Sequence, residues 1–131
     1  MGHEEVGHTA DIALRVWGDS YSELFREAAA GLLDLTAVTG APGALRSLSL
    51  EAPDAETLLV DWLGELLYLG ERWAEAYVPL SVHVEPGWRL AATVRGFAVG
   101  EARAKVKAVT YHGLCIRGEA GQYEATIVFD T

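Results

Sequence analysis

The sequence carries one cysteine, Cys115. A lone thiol closes no internal disulfide, so the fold does without cross-links, in keeping with a reducing compartment. Cys115 lies in the apolar run Leu114-Cys115-Ile116, where a free cysteine behaves as a small hydrophobe, and we expect it to be buried rather than to act as a nucleophile. No stretch approaches the roughly 20 apolar residues that span a bilayer. The start, Met1-Gly2-His3-Glu4-Glu5, is acidic and lacks the apolar centre of a secretory signal. Val6 stands where a myristoylation signal needs Ser or Thr. The expected location is therefore the cytoplasm. Bases are few: 10 Lys and Arg against 19 Asp and Glu leave a net charge of −9. Phosphate backbones repel such a surface, which argues against direct tight binding of nucleic acid. The same charge favours docking on a basic protein, because long-range attraction helps the encounter. Gly96-Phe97-Ala98-Val99-Gly100 lacks the Lys and Ser/Thr of a phosphate loop, and no nucleophile elbow or catalytic triad is recognisable.

What is present is enough for one domain over residues 1–131, with half of the residues apolar. Ile12, Leu14 and Val16 alternate with Ala13, Arg15 and Trp17, which predicts a strand with one buried face. Ser20 and Glu23 have the spacing of a capping box, and an apolar face from Tyr21 to Leu35 predicts the first helix. The cluster Thr39-Gly40-Ala41-Pro42-Gly43 reads as a turn, and Leu48 and Leu50 as a short strand. Asp54 is a plausible N-cap for a second helix, whose stripe runs from Leu58 through Trp62 to Trp73. Gly64 and Gly70 inside it each cost about 1 kcal/mol relative to alanine, so close backbone contacts are expected there. Residues 78–84 and 88–94 alternate on either side of Pro86-Gly87 and predict a hairpin. Residues 96–100 read as an irregular connection. A strand is expected from Val106 past a bulge at Gly113 to Ile116, and a last one with Tyr123, Ala125, Ile127 and Phe129 on one face. The fold class is an α/β (α+β) two-layer sandwich, with a mixed, largely antiparallel sheet and two amphipathic helices.

Alternation also fixes where acids point. If Ile12 and Phe129 face the core, Asp11 and Asp130 face away, one at the start of its strand and the other at the end of its own. Antiparallel neighbours would bring the two carboxylates together. The sequence stops at Thr131, whose terminal carboxylate would add a third hard oxygen group. Such a cluster suits Ca²⁺ or Mg²⁺ rather than zinc. The plainer alternative is a turn-capping Asp11 and a solvated Asp130. His8 and His112 could form a transition-metal site or an acid–base pair, but without a Cys or a third His at ligand spacing the zinc signal is weak; hydrogen-bonded histidines at strand ends are the plainer reading, and His8 could instead orient the loop carrying Asp11. Lys107 is expected to face outward together with Lys105.

Four segments, His8-Thr9-Ala10-Asp11, Asp61-Trp62-Leu63-Gly64-Glu65-Leu66-Leu67-Tyr68, Lys107-Ala108-Val109-Thr110-Tyr111-His112 and Val128-Phe129-Asp130-Thr131, occur in an order and spacing that resembles the archease family over nearly the whole chain. The resemblance implies an accessory protein, not an enzyme, that helps an RtcB-type RNA ligase in tRNA splicing or RNA repair. It would promote guanylylation of the ligase and its multiple turnover. It further implies that Asp11 and Asp130, with the main-chain carboxylate of Thr131, bind a divalent cation, often Ca²⁺, with Mg²⁺ or Mn²⁺ as alternatives. It suggests a partner contact for Lys107. Where the family usually ends in an aliphatic residue this sequence has Thr131, which puts any apolar contact of that last side chain in doubt. The competing reading of the same carboxylates is a small metal-dependent hydrolase that activates water.

Overall fold

The computed structural model describes residues 1–6, 11–119 and 121–131. The first helix, α1 (Tyr21–Thr36), begins where the capping box predicts. Ser20 Oγ accepts the Glu23 N–H at 3.1 Å, while the Glu23 carboxylate accepts the Asp19 N–H at 2.7 Å, one residue earlier than the usual reciprocal partner. The second helix, α2 (Ala55–Trp73), is capped by Asp54, whose carboxylate accepts the Thr57 N–H at 2.7 Å. The helices are tied together by Trp62, which is fully buried and donates its indole N–H to the Phe25 carbonyl at 2.9 Å.

Eight strands are described: β1 (Gly2–Val6), β2 (Ile12–Gly18), β3 (Ala37–Glu51), β4 (Glu75–Glu85), β5 (Arg89–Ala102), β6 (Ala108–Thr110), β7 (Arg117–Glu119) and β8 (Gln122–Asp130). They divide between two sheets, one ordered β1-β2-β8-β6 with β7 also on β8, the other β3-β5-β4, and all these pairings are antiparallel. A single apolar core joins them, with Leu14, Phe25, Trp62, Val94, Ile127 and Phe129 at its centre. The α/β class, with two helices packed on antiparallel sheet, is as the sequence predicts.

Several local expectations are corrected. The cluster at 39–43 is not a turn but part of β3, which follows β5 through three register shifts, and 96–100 is the matching part of β5. A Cβ on Gly40 would lie 3.0 Å from the Ala98 carbonyl oxygen and 3.2 Å from the Gly100 Cα. These glycines therefore serve close passage of two strands, not chain reversal. Leu80 breaks the alternation of β4: the shift between Pro79 and Ser81 leaves it 44% exposed. The expected strand over 106–116 is interrupted by a turn, in which Leu114 N–H donates to Tyr111 C=O and Gly113 adopts φ +63°. Val109 takes the inward place in β6 and pairs with Phe129. Cys115 is exposed, because Leu114 and Ile116 on either side of it pack against the core. Trp73 ends α2 half-exposed, with the guanidiniums of Arg46 and Arg72 at 4.8 and 5.2 Å from its ring. Strand β1 had no sequence signal. It pairs along β2 and is pinned to α1 by His3, whose ring nitrogens lie 3.1 Å from Glu27 Oε1 and 2.7 Å from Asp34 Oδ2.

The two glycines of α2 part ways. A Cβ on Gly70 would come within 2.8 Å of the Glu75 carbonyl oxygen, the close approach expected. A Cβ on Gly64 would meet nothing within 4 Å, which corrects the expectation there. Gly64→Ala should accordingly stabilise the protein by about 1 kcal/mol in urea unfolding, and a loss of stability would show a contact that the structure lacks. For His3, burial opposes the charged ring but the hydrogen bonds to Asp34 and Glu27 outweigh it, so the pKa is raised above 6.5. The stabilisation it adds is therefore complete below 6.5 and lost as pH rises through the raised value. The stability difference between the protein and His3→Gln should shrink from acidic to mildly alkaline buffer; a pH-independent difference would contradict this pairing.

Candidate functional site

The site is built at one end of the first sheet. Ile12 pairs with Phe129 at the close of the β2–β8 ladder. Asp11 immediately precedes Ile12 and Asp130 immediately follows Phe129, so both acids lie at the same end of neighbouring strands. On the other side of β8, Ala108 pairs with Asp130, and the Lys107 N–H donates to the Asp130 carbonyl at 2.8 Å. Three segments remote in sequence thus reach one sheet edge in the order Asp11, Asp130, Lys107.

The pleat explains what is displayed there. Phe129 is fully buried, so the strand turns Asp130, its outer neighbour, away from the core, while Ile12 packs partly against that core. Asp130, Thr131 and Lys107 are exposed, and Asp11 is half-buried. Further along the same sheet the charges are paired: Arg15 reaches Glu124 at 2.8 Å and Glu4 at 3.3 Å. His8, with Thr9 and Ala10, lies outside the described residues. His112 belongs to the turn beyond the far end of β6, where its N–H donates to Thr110 Oγ1 at 3.2 Å.

The donor chemistry of this edge is hard oxygen, from two carboxylates with the main-chain oxygen of Thr131 beside them, and it fits a cation of the Ca²⁺ or Mg²⁺ type. Among the described residues no three His, Cys, Asp or Glu side chains gather into a ligand cluster. A hard cation here would thus keep coordination positions for water or for groups of another molecule. Alternation alone accounts for the exposure of Asp130. The placement of Lys107 beside them depends on the register of β6, for which the sequence holds no local signal.

Comparison with known proteins gives a consistent result. The Archease protein family model matches residues 3–131. Protein archease of Methanopyrus kandleri is 36% identical over 143 residues, covering 99% of both chains. The solution structure of Methanobacterium thermoautotrophicum protein 1598 superposes with a TM-score of 0.79 at 26% identity, covering 99% of both chains. The crystal structure of an archease from Thermotoga maritima, named as a possible chaperone, superposes with a TM-score of 0.71 at 25% identity over 98% of this chain and 96% of that one. A family match that takes in both ends of the chain, and with them the edge carrying Asp11 and Asp130, makes this protein a member of the archease family.

Proposed function

We propose that this protein is an accessory factor of an RtcB-type RNA ligase in tRNA splicing or RNA repair, that it works in the cytoplasm, and that it is not itself an enzyme. The observation that carries the reading is the convergence of Asp11, Asp130 and Lys107 on one exposed sheet edge through the β2–β8–β6 register. Side-by-side carboxylates repel one another, and a divalent cation, Ca²⁺ in the first place and Mg²⁺ or Mn²⁺ otherwise, relieves that repulsion when bound. Asp11 and Asp130 would hold it with a main-chain oxygen of Thr131, and His8 would orient the segment entering Asp11. Coordination left incomplete by this chain suits completion by a partner's ligands. Lys107 would supply a cationic contact to the partner beside the acids.

The acidic balance of the chain supports docking on a basic, RNA-handling enzyme rather than on RNA. No helix among the described residues is long and apolar enough to cross a membrane. Promotion of guanylylation and turnover requires that the accessory protein bind one ligase state more tightly than another, since equal affinity would shift nothing.

Two measurements check this. Multiple-turnover ligation by an RtcB-type ligase with GTP and Mn²⁺ should be stimulated by the protein, and Asp130→Ala or Asp11→Ala should cut the stimulation by about tenfold or more. Undiminished stimulation by these variants would remove the mechanism, and hydrolase activity of the isolated protein would replace it with an enzymatic one. Added Ca²⁺ should raise the melting temperature of the protein but not that of Asp11→Asn/Asp130→Asn, because only a state that binds the ion is stabilised by it. Equal shifts in both would place the ion elsewhere.

A further inference from the structure

An open groove of about 790 Å³ runs between the helices and the segment 103–109. Its lining is largely apolar, with Leu33, Leu67, Val99 and Val106 among its residues. Gly64 lines it too, at the position where a Cβ would meet nothing within 4 Å. Helix propensity disfavours glycine there, and no close approach among the described residues compensates for it. The bare backbone leaves room for something that approaches α2 closely.

The wall facing α2 is basic. Arg103, Lys105 and Lys107 are three of only 10 basic residues in a chain of net charge −9. Arg103 donates to the Asp34 carbonyl at 3.1 Å, whereas neither lysine enters an ion pair among the described residues. Two acids line the groove as well: Glu75, held by Arg46 at 2.8 Å and by the Tyr77 hydroxyl at 3.0 Å, and Glu71, exposed on α2. An apolar trough bordered by two exposed lysines complements an apolar segment that carries carboxylates. A phosphate backbone would match the lysines but not the trough. The groove is also continuous with the acidic edge, because Lys107 lines it and donates its N–H to Asp130.

We propose that this groove is a second docking surface, which takes an apolar, acid-bearing segment of the protein partner, laid over Gly64 with its carboxylates against Lys105 and Lys107. The identity of that partner as the ligase rests on the function proposed above. A partner seated in this way is anchored beside the edge that carries Asp11 and Asp130.

Binding of an RtcB-type ligase to the full chain by biolayer interferometry, alongside multiple-turnover ligation, tests the inference. Gly64→Leu, which fills the trough, and Lys105→Glu, which reverses its wall, should each weaken binding by about tenfold or more, chiefly through faster dissociation. The melting temperature of Lys105→Glu should stay at the wild-type value, so this variant carries the test if Gly64→Leu proves unstable. Wild-type affinity in Lys105→Glu and in a folded Gly64→Leu overturns the groove. If stimulation is still lost in Asp130→Ala in that case, the accessory function stands and only the groove falls. If the wild-type protein neither binds nor stimulates the ligase, both fall. A dimer seen by light scattering that Gly64→Leu dissociates would assign the groove to a second copy of this chain and contradict the proposal.

Discussion

The antiparallel pairing of β2 with β8 is the constraint on which the rest depends. It joins the start of the chain to its end, and with them Asp11 to Asp130. Such a contact closes a very long loop, and loop-closure entropy must be offset by what the two strands bury. They bury a good deal: Leu14, Val16, Ile127 and Phe129 are all at or near zero exposure and pack with Phe25 and Trp62. The same inward commitment fixes the register, because a slip of one residue would turn these side chains to solvent. An apolar ladder thereby dictates where two acids emerge at its end, and β6 adds Lys107 by pairing on the free side of β8.

Elsewhere the chain leaves stability unused. Gly64 is a helical glycine with open space over it, and its groove faces a basic wall in an acidic protein. At the end of the β2–β8 ladder, Asp11 and Asp130 flank the last residue pair, and no group of three His, Cys, Asp or Glu side chains among the described residues completes a metal cluster. Where local choices run against a protein's own stability, function is the usual reason. Both departures lie near Lys107, which lines the groove and hydrogen-bonds to the edge. A partner that fills one would be close to the other.

Much of this was legible in the sequence, for physical reasons that differ between elements. The caps at Ser20 and Asp54 are local chemistry and were found where they act. The exposure of Asp130 follows from a period of two, which needs only neighbours in sequence. The course of β3 and β5 around Gly40, Gly43, Gly96 and Gly100 is not legible in the sequence, because glycine for close strand passage looks the same as glycine for a turn. An apolar run does not reveal which of its members is exposed: Leu114 and Ile116 take the two inward places and Cys115 between them faces solvent. Strand β1 is polar and short, held by His3 bridging to Glu27 and Asp34 on α1, a contact that no periodicity reports. The open space at Gly64 depends on what does not pack there, a property of the tertiary structure with no local sequence signal.

The most direct measurement is paramagnetic broadening of backbone amide signals by sub-stoichiometric Mn²⁺, followed residue by residue in the ¹H–¹⁵N spectrum. If Asp11 and Asp130 share a cation, loss of signal will centre on Ile12, Phe129, Asp130 and Lys107. Gly18 and Tyr123, about 20 Å away at the other end of the same ladder, will be spared. Broadening centred on any other surface, or none at stoichiometric ion, would contradict a shared cation at this edge.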